Sequence, residues 1–337
     1  MKIPLALAPP AVFGRRGDRT IPLAIWHGYC FLFFSKAILA GRNHMEEILG
    51  KRISDRHPCF SEKAHRKYGK LHLPVAPGCN LQCNYCIRKF DCVNETRPGV
   101  TSVVLNPFEA MERVRAVMER NDSISVIGIA GPGDPLANDA TFETLRAIHR
   151  EFPEIILCLS TNGFLLPERL GEVLDSGVES LTVTINALAA ETAEKIYSSV
   201  FHPGERLSGR AAAEALLHNQ WEGLSKAIES GLVVKVNSIL IPGINEGDIP
   251  LIALRAGRMG AGIMNVMPLI PQARFKDIPR PSCAMLEKMR AVCRAYIPQM
   301  THCKQCRADA FGLLGEDRDM ELELLHFRIG EDYCENV

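Results

Sequence analysis

Three closely spaced cysteines constrain this 337-residue chain more than any other feature of its sequence. They have the spacing C-x3-C-x2-C and form the triplet Cys79, Cys83 and Cys86. Thiolates at this spacing can hold three irons of a [4Fe–4S] cluster and leave the fourth iron without a protein ligand. The alternative is a structural zinc site, but such sites normally close around four ligands. The triplet therefore predicts a cluster with an open iron, where a substrate or a cofactor can bind.

The composition limits the class of protein. With 47% hydrophobic residues, the chain can form one large α/β domain with appendages. Lysine plus arginine equals aspartate plus glutamate at 39 each, so there is no electrostatic case for binding nucleic acid. Twelve cysteines in a long chain indicate metal or redox chemistry rather than a disulfide scaffold. We therefore expect a protein of the reducing cytoplasm.

The first 44 residues differ from the rest of the chain. An apolar run at 21–40 follows three arginines, but a proline, a glycine and a lysine interrupt it. A membrane-spanning helix needs ~20 mostly apolar residues, so we expect no membrane association. We favour a gene-start error, with Met45 as the true start, over a disordered or peripheral arm. An export signal is the weakest of the three interpretations.

From there on, short apolar runs alternate with amphipathic stretches, which indicates parallel βαβ units. The predicted strands are Leu71–Ala76, Ser125–Ala130, Ile155–Ser160, Ser180–Ile185, Val233–Leu240 and Met264–Leu269. The predicted helices between them are Pro107–Arg120, Ala140–Glu151, Pro167–Ser176, Ala211–Ser230 and Ile249–Gly260. The strands are nearly all apolar, as expected for a sheet covered on both faces. The pattern predicts a partial (β/α)6 barrel with its chemistry at the carboxyl ends of the strands.

The triplet, with Tyr85 directly before its third cysteine, resembles the signature of the radical S-adenosylmethionine (SAM) enzymes. In that family the open iron binds the methionine amine and carboxylate of SAM. The resemblance therefore implies a [4Fe–4S] cluster and SAM as cofactors. The triplet follows the first predicted strand, where a barrel of this kind has a catalytic loop.

Small and polar residues follow several predicted strands and suit a SAM site. The segment containing Gly131, Gly133 and Asp134 resembles the Gly-Gly-Glu-type motif of these enzymes, although an ordinary Pro/Gly turn would also explain it. Further candidate SAM contacts lie on or after the third, fourth and sixth strands: Ser160, Asn162, Thr184, Asn186, Asn265 and Met267. Each is weak evidence alone, and their repeated placement at strand ends favours the SAM site.

Five further cysteines are candidate metal ligands: Cys59, Cys92, Cys158, Cys303 and Cys306. They exceed the four thiolates of one additional cluster, and with one histidine they would supply two clusters with three ligands each. We prefer His72 as that ligand because it lies close to the triplet, with His57, His65 and His302 as competitors. Cys158 can instead be a small buried hydrophobe, and zinc is the alternative at the C-x2-C of Cys303 and Cys306.

Two longer blocks resemble the NifB family, the maturases of the nitrogenase iron–molybdenum cofactor. The first runs from His72 through the triplet to Arg97, and the second is the block from His302 to Asp317. The resemblance spans residues 46–317 and excludes the N-terminal arm. It implies the minimal form of the family, without the NifX-like domain that some members carry.

The resemblance implies a mechanism. Two [4Fe–4S] clusters would be substrates, held by the five further cysteines and His72. One SAM would give its methyl to a cluster sulfide, and a second would give the radical that abstracts a hydrogen from it. The clusters would then fuse around a carbide, with one extra sulfur, into an [8Fe–9S–C] precursor. The family also implies partners: a NifU/NifS cluster donor, a ferredoxin or flavodoxin reductant, and a NifX or NifEN acceptor.

Carbide formation must shed protons, and Glu95 is the candidate catalytic residue for this step. It can also be an ion-pair partner of Arg97. Arg88 and Lys89 can offset cluster charge or face solvent. Two other functions stay open: another radical SAM enzyme with auxiliary clusters, and a non-catalytic iron–sulfur carrier or zinc protein.

The predicted elements divide the chain into four segments. Residues 1–44 are the arm, 45–70 an N-terminal cluster-ligand segment, and 71–281 the partial barrel. Residues 282–337 contain a helix at Ser282–Tyr296, the C-x2-C segment and an acidic tail. In that helix Cys283 and Cys293 are predicted to be packing thiols, and Cys334 is predicted to be free.

Overall fold

The computed structural model describes residues 50, 52–202, 204–313 and 318–319. The predictions for the arm at 1–44, for Cys334 and for most of the acidic tail lie outside these residues. Among the described residues, no helix is both long enough and apolar enough to span a bilayer.

An eight-stranded sheet curls into a half-barrel and forms the core of the fold. Its six parallel strands are β1 (Gly69–His72), β3 (Ile124–Ile129), β4 (Ile156–Thr161), β5 (Val178–Thr184), β8 (Val233–Leu240) and β9 (Ile263–Pro268). They lie side by side in that order, and β10 (Ala310–Gly312) and β11 (Arg318–Asp319) extend the β1 edge in antiparallel fashion. Strands β3, β4 and β8 are buried along their whole length, as expected for apolar runs covered on both faces.

Helices connect the parallel strands and cover the sheet. They are α1 (Glu62–His65), α2 (Pro107–Met118), α3 (Asp139–Glu151), α4 (Leu166–Asp175), α5 (Ala190–Ile196), α6 (Gly209–Glu229), α7 (Asp248–Met259) and α8 (Cys283–Cys293). Helix α2 begins at a capping box, in which Asn106 and Glu109 satisfy each other's backbone N–H groups. Helices α4 and α6 pack closely because Gly223 presents no side chain to Leu166.

The predicted partial barrel and its six parallel strands are confirmed, with one shift at the first strand. That strand ends at His72 rather than Ala76, and the chain beyond it runs beside the loop after β3, where Ala76 pairs with Pro132. Turning away from the sheet carries the triplet over the carboxyl ends of the strands.

A second, three-stranded sheet was not predicted. It joins β2 (Leu81–Cys83), inside the triplet, to β6 (Tyr197–His202) and β7 (Glu205–Ser208). These strands are short, and β7 is largely exposed, so they lack the long apolar runs that identify the main sheet. The small sheet fixes the middle of the cysteine loop.

The helix near the C-terminal end is shorter than predicted. It ends at Cys293, whose thiol is fully buried, as expected for a packing residue. Cys283 is exposed at the first turn, so the prediction that it packs in the core is wrong. Only Cys283 and Ala284 of the first turn are exposed, whereas Met285 and Leu286 in the same turn pack against the core.

Candidate active site

A first cavity of about 450 Å³, counted with its open mouth, lies at the carboxyl ends of the strands. The three thiols of the triplet line it together with residues that follow β3, β4 and β5. The predicted SAM contacts that line this cavity are Gly133, Asp134, Ser160, Asn162 and Thr184. The predicted residues Cys92 and Glu95 line it as well. Parallel strands bring their carboxyl ends to one edge, and this explains why residues far apart in sequence meet here.

The start of the cysteine loop is held by main-chain and amide contacts at Gly78. The Asn138 side chain both accepts from the Gly78 N–H and donates to its carbonyl, each at 3.0 Å. The Asp134 N–H donates to the same carbonyl at 2.8 Å. Gly133 makes this approach possible, because a Cβ there would lie 2.6 Å from the Gly78 carbonyl carbon. The loop can therefore sit against the post-β3 turn only while position 133 has no side chain.

The Asp134 carboxylate ties three parts of the site together. It accepts hydrogen bonds from the Leu136 N–H, the Thr161 hydroxyl and the Asn162 N–H, the last at 2.6 Å. Burial raises the pKa of Asp134 to about 6, and these donors oppose that rise. The chain's own donors therefore use both carboxylate oxygens, and Asp134 acts on the cavity by positioning the loops after β3 and β4.

Unsatisfied polar atoms in the first cavity suit a polar cofactor. The Ser160 hydroxyl and the Asn94 side-chain oxygen belong to residues that line this cavity, and both are buried without a hydrogen-bond partner. Asn162 donates to the Asn80 side-chain oxygen at 2.7 Å and lies 3.9 Å from the Cys79 sulfur. Buried polar groups normally find partners, so these atoms fit a bound molecule with complementary donors and acceptors.

Burial and hydrogen bonds set the pKa values of the triplet thiols. Burial raises the pKa of Cys79 to about 11 and that of Cys83 well above its usual range. Cys83 also accepts a hydrogen bond from the Tyr85 hydroxyl, and Asn186 holds that hydroxyl at 2.8 Å. These apo thiols are protonated at neutral pH, so iron binding must displace their protons. Asn186 therefore stands behind Tyr85 and does not line the cavity.

A second cavity of about 400 Å³, also counted with its open mouth, shares Asn94 and Glu95 with the first. The predicted residues that line it are Cys59, His72, Asn265, Met267, Cys303 and Cys306. Cys158 does not line this cavity, but it is buried in the same apolar cluster as Cys59, and Cys303 packs against that cluster. Cys92 lies apart from these four cysteines, in the first cavity with the triplet. Its backbone explains the position, because the Cys92 N–H donates to the Pro132 carbonyl at 2.9 Å.

His72 is set up to offer one ring nitrogen. Its Nδ1 lies 2.8 Å from the Arg307 carbonyl, which can only accept, so Nδ1 carries the proton. Burial, with Lys70 adding to it, lowers the pKa of His72 to about 3, so the ring is neutral. A neutral imidazole whose second nitrogen is fixed by a carbonyl is the usual arrangement of a metal-binding histidine. Nε2 is therefore the nitrogen available to a metal.

The competing histidines do not line either cavity. His57 accepts from the Cys59 N–H at 3.1 Å and packs edge-on against Phe60. His302 donates to the Pro58 carbonyl at 2.9 Å, and its ring stacks on His65 with 5.1 Å between centroids. These rings join the N-terminal segment to the C-x2-C segment.

Two lysines line the second cavity, the half-buried Lys70 and the buried Lys235, and the sequence interpretation missed both. Lys70 donates to the Cys59 sulfur at 3.3 Å, and Lys235 acts on the same thiol. Burial opposes ionisation of Cys59, but the two ammonium groups outweigh it and lower the pKa of the thiol. The signal was a lysine inside the predicted buried strand 233–240, where burial of an ammonium group is costly without a compensating charge.

Glu95 and Asn94 line both cavities and separate them. Asn237, on β8, donates to the Glu95 carboxylate at 2.8 Å, and its own side-chain oxygen is buried without a partner. The Arg97 side chain donates to the Gln305 carbonyl at 3.0 Å. The carboxylate is therefore held from the second-cavity side while it also faces the triplet.

The remaining predicted residues have other positions. Gly131 is in the turn after β3 but does not line the first cavity, and Asn265 and Met267 line the second cavity rather than the first. Arg88 lines the first cavity and donates to Cys86, whereas the exposed Lys89 packs over Phe90. Within the described part of the chain, no three His, Cys, Asp or Glu side chains are close enough to hold a single metal ion.

Comparison with known proteins identifies the family. Residues 73–256 match the model of the radical SAM superfamily, and this is more than half of the chain. A radical SAM methyltransferase from Sphaerobacter thermophilus superposes with a TM-score of 0.46 at 21% identity, covering 69% of this chain and 64% of that one. The chain belongs to the radical SAM superfamily, whose cofactors are a [4Fe–4S] cluster and SAM.

Curated relatives define the family more narrowly. The FeMo cofactor biosynthesis protein NifB of Methanocaldococcus infernus is 43% identical over 77% of this chain and 86% of its own length. The NifB of Klebsiella pneumoniae is 49% identical over 80% of this chain, and the match covers 59% of that protein. Within the superfamily, the chain therefore belongs to the NifB family. It spans less than two thirds of the length of the Klebsiella relative.

The close approach at Gly133 predicts that Gly133→Ala disrupts the triplet. The added methyl has no room beside Gly78, so the cysteine loop must move away from the post-β3 turn. We expect the variant to lose the SAM-binding cluster, measured as iron content and as the EPR signal of the reduced cluster. Gly171→Ala is the matched control, because nothing lies within 4 Å of a Cβ at that helical position. Retention of the full cluster signal in Gly133→Ala would contradict the steric argument.

The orientation of His72 predicts a nitrogen ligand to iron. In protein reconstituted with iron and sulfide, we expect a ¹⁴N coupling in the pulsed EPR spectrum of the reduced clusters. His72→Ala should abolish it, and His302→Ala should leave it unchanged, since that ring lies outside both cavities. A coupling that survives His72→Ala would assign the nitrogen to another residue.

Proposed function

We propose that this chain is a maturase that builds the iron–sulfur–carbide precursor of the nitrogenase cofactor. The substrates would be two [4Fe–4S] clusters, fused with a SAM-derived carbon and one extra sulfur into an [8Fe–9S–C] product. The observation that carries the proposal is the pair of cavities with Glu95 between them. One has the residues of a SAM site, and the other gathers thiols and one imidazole.

The first cavity would hold the cofactors. Cys79, Cys83 and Cys86 would bind the resident cluster, and Ser160, Asn162 and Thr184 line the space for SAM. When bound, this pair supplies a methyl group and a 5′-deoxyadenosyl radical. Arg88 offsets part of the negative charge at Cys86. Tyr85 and Asn186 hold the Cys83 side by hydrogen bonds.

The second cavity would hold the substrate. Cys59, Cys303, Cys306 and His72 line it, with Cys158 buried in the same apolar cluster as Cys59. A substrate cluster must be bound firmly enough to react and loosely enough to leave. One neutral imidazole among thiolates suits release better than a closed set of four thiolates. Cys92, in the first cavity, would hold substrate nearest to the point of carbon transfer.

Glu95 would accept protons that the transferred carbon loses. Its carboxylate faces both cavities, and the amide of Asn237 holds it at 2.8 Å. Proton transfer by a positioned side chain contributes ~10²–10⁴ in rate. Asn237 donates to only one carboxylate oxygen of Glu95, Oε1, so the second oxygen can accept a proton.

The proposal includes the partners that this chemistry requires. The substrate clusters need a donor of the NifU/NifS type, SAM cleavage needs a low-potential donor such as a ferredoxin or flavodoxin, and the product needs a NifX or NifEN-type acceptor. Another radical SAM enzyme with auxiliary clusters and a passive iron–sulfur carrier are the alternatives. A passive carrier has no use for the buried polar atoms that line the first cavity.

Carbon transfer tests the proposal directly. Anaerobically reconstituted protein is reduced with dithionite in the presence of methyl-labelled SAM, and the extracted cluster is added to cofactor-deficient nitrogenase. We expect label in the cluster and recovery of nitrogenase activity. Formation of 5′-deoxyadenosine without labelled cluster would leave radical SAM chemistry and overturn the maturase function. No SAM cleavage by a fully loaded protein would favour the carrier.

The position of Glu95 predicts a selective defect in Glu95→Gln. The amide keeps the size of the side chain but cannot take up the protons, so we expect label incorporation to fall about a hundredfold or more. Formation of 5′-deoxyadenosine should stay within a few-fold of the parent. Glu95→Asp should recover part of the incorporation. Full incorporation by Glu95→Gln would remove Glu95 from the proton pathway.

A further inference from the structure

Two lysines, the half-buried Lys70 and the buried Lys235, line the same cavity of the half-barrel. Lys70 is on β1 and Lys235 is on β8, and three strands separate these two in the sheet. Both side chains line the second cavity, and the positive charge of Lys70 repels that of Lys235. Curling of the sheet therefore brings two like charges to one cavity, where partial burial weakens their screening by water.

The groups that face these lysines are mainly thiols. Lys70 interacts electrostatically with the thiols of Cys59, Cys158 and Cys306. Lys235 interacts in the same way with the thiols of Cys59 and Cys303 and with the Glu95 carboxylate. Among the described residues, no carboxylate comes within ion-pair distance of either ammonium. Buried charges need compensation, so the cavity favours an anion.

Unpartnered amides in the same cavity support a polar ligand. Both side-chain atoms of Asn265 are buried without a hydrogen-bond partner, as are the Asn237 oxygen and the Gln305 amide nitrogen. All three residues line the second cavity. A cavity with two ammonium groups and unused amide donors is built for a ligand with negative charge and several acceptor atoms. Sulfides of an iron–sulfur cluster are acceptors of this kind.

We infer that Lys70 and Lys235 hold the anionic iron–sulfur substrate in the second cavity by compensating its charge. The inference rests on the proposed function, because it takes the ligand of this cavity to be a substrate cluster. The lysines are positioning residues, since the thiols and His72 would be the iron ligands. Positive charge beside a cluster stabilises its reduced, more negative form, so the pair would also raise the reduction potential of the substrate.

The test isolates the second cavity in the full chain. The background variant carries alanine at all three triplet cysteines, so that iron reconstituted into the protein is confined to the other ligands. In this background, Lys70→Met and Lys235→Met are compared with Lys235→Arg, which keeps the charge. The control is Lys226→Met, an exposed lysine paired with Glu222 on α6. The measurements are the reduction potential from an EPR-monitored titration and the rate of iron loss to a chelator.

We expect both methionine variants to shift the potential to more negative values and to lose iron about tenfold faster, as for loss of a charge-assisted contact. Lys235→Arg and Lys226→Met should behave like the background. In chains with the triplet intact, the EPR signal of its cluster and formation of 5′-deoxyadenosine verify that the lysine variants fold. Loss of only the second-cavity iron in those chains would also support the inference.

Two negative results would lead to different conclusions. Clusters that form in the background and keep their potential and stability in both methionine variants would overturn the role of the lysines and leave the proposed function standing. A background protein that binds no iron–sulfur cluster would overturn the proposed function and this inference together.

Discussion

The Asp134 carboxylate is the interaction on which the first cavity depends. One buried acid accepts from the turn after β3 and from the first residues after β4, while its own N–H holds the Gly78 carbonyl at the start of the cysteine loop. Without these bonds, three loops that approach from different strands would have no common anchor. The absence of a side chain at Gly133 is the steric counterpart of the same contact, because it lets two backbones meet. The geometry of the triplet is thus set by residues that need not touch iron.

The candidate metal-binding thiols are divided between two cavities, and the two groups of thiols have different electrostatic surroundings. Burial holds the triplet thiols protonated, whereas the two lysines lower the pKa of Cys59 in the second cavity. The cysteines of the two cavities therefore differ in how readily they ionise, and Glu95 lines both cavities. A wall with a carboxylate suits a transfer of carbon from a cofactor on one side to a cluster on the other. The chemistry proposed for the chain follows from this division more than from the number of cysteines.

The sequence predicted most of the barrel because its strands are long apolar runs, and burial on both faces leaves a strong pattern. It failed for the small sheet, where β2, β6 and β7 are short and have no such pattern. Placement of Cys92 beside the triplet depends on one backbone hydrogen bond to Pro132, which no local pattern encodes. Closeness to the triplet in sequence was the reason to prefer His72 over three other histidines; of the four, only His72 lines one of the two cavities, and its role as a ligand stays a prediction. Lys235 was missed even though a lysine inside an apolar strand is a recognisable signal.

An iron anomalous difference map of crystals of the anaerobically reconstituted protein would test the two-cavity arrangement most directly. We expect iron at Cys79, Cys83 and Cys86 and separate iron in the cavity lined by Cys59, His72, Cys303 and Cys306. Iron at the triplet alone, or zinc bound at Cys303 and Cys306, would contradict it.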